Sequence, residues 1–167
     1  MTITTQNIVL LFTILAVALM AGLFYNWTTA ITDGLGKLAD KEYLSAFQSI
    51  NKEIQNPLFF MTFMGAALLL PICCFMHFEK PLTYKFYFIF AATLVYLIGV
   101  LGVTILGNVP LNDALDKLNL AEATPSVISQ QRLDFEAKWN NFNAIRTISS
   151  FISLVLILMR CIFNENE

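Results

Sequence analysis

The chain has 167 residues, of which 57% are hydrophobic and 13% charged, with a formal net charge of −2. A soluble domain carries about a quarter charged residues, so this composition excludes an ordinary soluble protein and points to an integral membrane protein. There is no basic run, which excludes nucleic acid and a polybasic lipid-binding segment.

The first apolar run extends from about residue 8 to residue 31. Ala16-Val17-Ala18 and Ala21-Gly22 resemble small-residue cleavage sites. The residues before the run hold no Lys or Arg, however, and the run continues past Gly22, so a retained helix is expected. Asn26-Trp27-Thr28 matches a glycosylation sequon but lies in or beside the membrane, and is discounted. Residues 34–56 follow, where Leu38, Tyr43, Leu44, Phe47, Ile50 and Ile54 recur at helical spacing, with Lys37, Asp40, Lys41, Lys52 and Glu53 on other faces. This is the pattern of an amphipathic helix on the bundle mouth or at the interface. Asn56-Pro57 stops it and starts the second membrane helix, at about 57–78.

A short turn near Glu79-Lys80-Pro81 makes an antiparallel hairpin of the second helix and a third at about 84–107. Gly99, Gly102 and Gly107 permit close helix contact there. Pro110 then predicts the first turn of a short separate helix, with Asp113 and Asp116 at its positive end. Thr124-Pro125-Ser126 marks another helix start. The fourth helix is expected to begin near Ser129 and run unbroken to Arg160, about 45 Å, longer than a bilayer core. Its lipid-crossing part is about 143–163, and residues 108–142 join residues 34–56 in a cap. The expected architecture is therefore all-α, one integral membrane domain over 1–167. It comprises a four-transmembrane-helix bundle under an extramembrane cap made of an amphipathic helix, a short helix and the extended start of the fourth.

Orientation follows from the basic residues of short loops. Lys80 and Lys85 flank the short turn and Arg160 ends the last helix, so the expected location is a bacterial inner (cytoplasmic) membrane, with cytoplasmic termini. The raw count of basic residues favours the cap side instead. Cys73 and Cys74 are adjacent and cannot bridge each other; with Cys161 they read as small hydrophobes. One histidine, His77, and no CxxC or HExxH motif leave no metal or haem site expected.

Polar residues at membrane depth face a protein interior or a water-filled cavity, which singles out two segments. One is Asn108-Val109-Pro110-Leu111-Asn112-Asp113. The other lies on the fourth helix, where Arg132, Glu136, Trp139, Asn143, Arg146 and Ser150 are spaced by three or four and share one face. Arg146 either snorkels to the interface or turns inward to a carboxylate or asparagine. Asp113 is the expected partner, at ion-pair distance directly or through Asn112 or Asn143. Such a pair would either pin the cap to the bundle or serve catalysis. Asn108 and Asn112 are also candidate helix or turn caps, and Trp139 a candidate interface aromatic.

Three segments carry a resemblance. They are Phe47-Gln48-Ser49-Ile50-Asn51-Lys52-Glu53-Ile54-Gln55-Asn56-Pro57, the segment from Asn108 to Asp113, and Trp139 with Phe142, Asn143, Arg146 and Thr147. In this order, among four membrane helices, they resemble the anthrone oxygenase family, with Phe142 standing where the family often has Trp. The resemblance implies oxidation of an anthrone to an anthraquinone by molecular oxygen, with no cofactor to be assumed. Such an oxidation of a carbon acid needs a base, a positive group beside the developing oxyanion and a dry aromatic pocket. Asp113 would be the base, Arg146 the group that stabilises the developing anion, and Asn112 and Asn143 the orienting donors. Trp139, Phe142 and Tyr25 would line a dry pocket, and Asn108, Gln48 and Asn51 complete the expected substrate-binding set. The first expectation is thus an oxidoreductase acting on a flat, hydrophobic anthrone- or hydroquinone-like aromatic drawn from membrane lipid. The alternative is a non-catalytic membrane protein that binds lipid or a small hydrophobic ligand, or a subunit of a membrane assembly. Homo-oligomers and protein partners are left open.

Overall fold

The computed structural model describes residues 4–162, and all the elements it holds there are helical. Helix α1 is Thr5–Gly36, α2 is Asp40–Ile54, α3 is Pro57–Met76, α4 is Tyr84–Asp116 and α5 is Pro125–Ile162. Four of them, α1, α3, α4 and α5, are long and apolar enough to cross a membrane.

The starts of α1, α3 and α4 follow from capping residues. Thr4, Asn56 and Thr83 each accept a hydrogen bond from the backbone N–H three residues on, and Pro57 occupies the first turn of α3, where its missing N–H costs nothing. The buried side chains of α1 are Leu10, Thr13, Val17, Met20, Ala21, Phe24 and Trp27. Steps of three and four place them on one stripe facing the bundle. The same spacing buries Tyr43, Leu44, Phe47 and Asn51 on α2.

Two hydrophobic cores result. The lower one, at membrane depth, packs Val17, Met20, Leu70, Ile89, Tyr96 and Ile157 from the four spanning helices. The upper one joins Trp27, Tyr43, Phe47, Leu115, Phe135 and Trp139 beneath the cap. Polar bonds tie the cap down. Gln48 Nε2 donates to the carbonyls of Leu115 at 2.8 Å and Leu118 at 3.0 Å, closing the end of α4. Arg132 donates to Glu136 at 2.8 Å, to Asp40 at 3.1 Å, and to the carbonyls of Leu38 and Gly36. It also lies 4.5 Å from the centre of the Tyr43 ring. Burial pushes the Tyr43 hydroxyl far above its ordinary range and Glu136 adds to this, while Arg132 opposes it.

Three expectations need correcting. The segment at Pro110 is not a separate short helix but the last two turns of α4. π-helical turns at Leu97–Gly102 and Thr104–Asn108 precede it. Their wider backbone relieves the clash a proline ring makes in a regular helix interior. Helix α1 likewise continues past Ile31 to Gly36 through a π-helical stretch at Trp27–Ile31. Helix α5 starts at Pro125 rather than Ser129, and its 38 residues span about 57 Å. The expected lower limit at residue 163 lies outside the described residues.

Candidate functional site

A cavity of about 460 Å³ lies between the upper halves of α1, α3, α4 and α5, under α2. Its volume falls within the usual range for ligand pockets, about 300–1,000 Å³. The wall is mainly apolar. Phe24 and Trp27 come from α1, Phe47 and Ile50 from α2, Phe59 and Phe63 from α3, and Leu101 and Ile105 from α4. The polar lining groups are few: Asn51, Gln55, Thr104, Asn108, Asn112, Asp113 and Arg146 are the side chains with chemistry to offer.

Trp139 organises the aromatic wall. Its ring lies 4.9 Å from Trp27 and 4.8 Å, edge to face, from Phe47. Phe47 contacts Trp27 as well, at 5.3 Å. The indole N–H of Trp139 donates to Asn112 Oδ1 at 2.9 Å, and its backbone carbonyl accepts from Asn108 Nδ2 at 3.3 Å. That second bond fixes the Asn108 amide orientation and leaves its Oδ1 buried with no partner.

Arg146 is 7% exposed. One of its nitrogens, Nη2, donates to Asn143 Oδ1 at 2.9 Å, while Nε is buried with no partner. The guanidinium carbon lies 4.6 Å from the Phe24 ring centre and 5.3 Å from that of Trp139. Two ring faces thus share the charge. Asn143 is held from behind, donating to Thr28 Oγ1 at 2.9 Å. The hydroxyls of Thr28 and Thr147 lie 2.8 Å apart, and each is also within bonding distance of the Phe24 carbonyl where α1 approaches its π-helical stretch, so two hydroxyl protons serve these three contacts. A polar lattice from α1 and α5 therefore orients Arg146 toward the cavity, with no carboxylate beside it among the described residues.

The expected Asp113–Arg146 ion pair is absent: no hydrogen bond or ion pair joins them, directly or through Asn112 or Asn143. The reason is helix register. Asn108 on α4 stands level with Trp139 on α5, and the Ser153–Ala92 bond lower down shows that the two helices run antiparallel. Asp113 lies five residues further outward and Arg146 seven residues further inward, together about 18 Å of helical rise. Asp113 is exposed at the rim; Arg146 is enclosed.

The other expected site residues divide. Asn108, Asn112, Asn51 and Trp139 line the cavity, and Asn51 also donates to Asp116 at 3.1 Å. Asn143 sits behind Arg146. Phe142 packs against Gly107, where a Cβ would come 2.8 Å from the ring, and it is outside the cavity lining. Gln48 is committed to the carbonyls of Leu115 and Leu118. Tyr25 does not line the cavity either: it is 52% exposed and meets Phe151 edge-on at 5.7 Å. Phe24 and Trp27 went unrecognised in the sequence as wall residues. Their spacing of three from each other on the buried stripe of α1 was the available signal. Among the described residues there is no group of three His, Cys, Asp or Glu side chains that could hold a metal.

Fold and site together define a multi-pass membrane protein with an aromatic cavity under an extramembrane cap. The anthrone oxygenase family model matches residues 58–156, more than half of the chain, and the chain belongs to that family. The match covers α4 and most of α3 and α5, with both polar signatures; α1 and α2, which supply Phe24, Trp27 and Phe47, lie outside it. No curated protein and no solved structure matches.

Proposed function

We propose that the protein is an oxidoreductase that oxidises a flat, hydrophobic anthrone- or hydroquinone-like aromatic with molecular oxygen. The observation that carries this reading is Arg146: a buried cation with no anion beside it among the described residues, turned to an aromatic-walled cavity in a member of the anthrone oxygenase family. A buried charge without a partner is costly, and a ligand oxygen that becomes anionic during reaction offsets that cost at the moment it matters.

For an anthrone the chemistry balances as follows; a hydroquinone, which has no ring CH2, instead gives up two protons and two electrons from its hydroxyls and reduces oxygen to hydrogen peroxide. Asp113 takes a proton from the acidic ring CH2, and the electrons move to the opposite ring oxygen, beside Arg146. The resulting anion gives one electron to oxygen, and the radical pair couples to a peroxide at the same carbon. Protonation and loss of water leave a carbonyl. One oxygen atom ends in the quinone and the other in water. Asp113 and Arg146 both line the cavity, and the Arg146 side chain reaches along it to place its guanidinium carbon 5.3 Å from the Trp139 ring centre, which shortens the gap that a substrate must bridge.

Basic residues at the short turn and at Arg160 support placing that side in the cytoplasm, with the cap on the far side of a bacterial inner membrane. The activity is tested by oxygen uptake of purified protein in detergent with anthrone and, separately, with a hydroquinone. Stimulation by wild type and its loss in Asp113→Asn is the expected result. No stimulation with either compound would overturn the reading and favour non-catalytic binding.

A further inference from the structure

The cavity is closed on three sides. Phe24 and Trp27 of α1 and Trp139 and Arg146 of α5 form its back, and Phe47, Ile50 and Ile54 of α2 form its roof. The remaining side lies between α3 and α4. Helix α3 packs on α1 and on the Tyr84–Tyr96 part of α4; above Tyr96, the π-helical turns of α4 lean on α5 instead. The two helices therefore part in their upper halves. The side chains that both line the cavity and reach the surface there are Phe60 at 47% exposure, Met64 at 41%, Ile105 at 54% and Val109 at 40%. Above them the lip is polar, with exposed Gln55 and Asp113.

We propose that this slot is a lateral portal to the bilayer, through which the cavity takes up its apolar guests, and that a lipid acyl chain fills it between guests. Phe60 and Met64 sit in the first two turns of α3, a helix of 20 residues that at about 1.5 Å per residue only just spans the hydrocarbon core. The apolar lip is thus at acyl-chain depth, where no water competes for it. The polar lip stands at the head-group level. A guest arriving from lipid passes only apolar side chains until it meets Trp139, Asn108 and Arg146. The proposal rests on the reading of this cavity as the ligand site, and not on turnover.

The protein supplies its own probe. It has two tryptophans; both line the cavity, and Trp27 is 7% and Trp139 4% exposed. The full chain is reconstituted in phosphatidylcholine vesicles whose acyl chains carry bromine near the carboxyl end, and its tryptophan emission is compared with that in unbrominated vesicles. Aqueous iodide is titrated separately. The expected result is that brominated chains remove half or more of the emission while iodide removes little. The slot-filling pair Ile105→Phe with Val109→Phe should recover most of the loss. Ile98→Phe, on the lipid face of α4 and 69% exposed but outside the cavity, should recover none. Strong quenching by iodide with little by bromine would show a cavity open to water and overturn the proposal. So would bromine quenching that the slot-filling pair leaves unchanged. If that pair does not fold, the wild-type contrast between bromine and iodide decides alone. Because no step is a reaction, failure here leaves the oxygen-uptake result to stand or fall independently.

Discussion

The lower and upper halves of the bundle are built from the same four helices to opposite ends. In the lower half Val17, Leu70, Ile89, Tyr96 and Ile157 interlock with no exposed surface, and small residues bring α4 and α5 together. Ser153 donates to the Ala92 carbonyl at 2.9 Å. In the upper half, π-helical turns widen α1 and α4, α3 and α4 part, and aromatic rings surround a space that they do not fill. Close packing below is what lets the upper half keep a cavity and an unpaired cation, each of which costs stability.

The comparison breaks most sharply at Leu70. Leu70→Ala in the lower core should cost about 2–5 kcal/mol, read as a lower melting temperature in detergent, with the rate per folded molecule unchanged. A change of rate at full occupancy of the folded state would show that the halves are not separable. At their junction, Gly107→Ala forces a methyl against the Phe142 ring and should cost about 1–3 kcal/mol. Adding Phe142→Ala should recover part of that loss.

A smaller effect sharpens the description of the site. Asp113→Asn and Arg146→Gln should be additive in thermal stability, with coupling below about 0.5 kcal/mol. The sequence suggests the reverse, and the contrast shows what it can carry. Runs of about twenty apolar residues fix the spanning helices because lipid leaves no other structure, and the three-to-four spacing of Trp139, Asn143 and Arg146 is visible in any helix. The relative height of α4 and α5 is not visible, because it depends on where Asn108 meets Trp139, and so the sequence brings Asp113 and Arg146 together where the structure does not. Phe24 and Trp27 were hidden for another reason: an aromatic in an apolar run looks alike whether it faces lipid, core or cavity. The π-helical turns that separate α3 from upper α4 leave no mark in residue type.

The smallest effect belongs to the lower end. There Arg160 Nη2 donates to His77 Nε2 at 2.9 Å, so the other ring nitrogen carries the proton toward the Cys73 carbonyl. Burial holds the His77 imidazole below its ordinary value. The Cys73 carbonyl and Glu79 oppose this, and Arg160 and Lys85 add to it. With the folded value below the unfolded one, about 6.5, the unfolded chain takes the proton first as pH falls. The contribution of His77 is therefore complete above that value and is lost as the pH drops toward the folded one. The melting temperature should fall as the pH drops below about 6.5, and His77→Gln should flatten that slope.

The central claim is that Arg146 is kept buried and unpaired for the sake of a ligand anion rather than for the fold. Oxygen uptake with anthrone and melting temperature, measured together on wild type and Arg146→Met, test it most directly. The account predicts a loss of rate of about 10²–10³-fold, as for removal of a group that stabilises a developing oxyanion, with a melting temperature that is unchanged or higher. A variant that melts well below wild type yet turns over normally would contradict it.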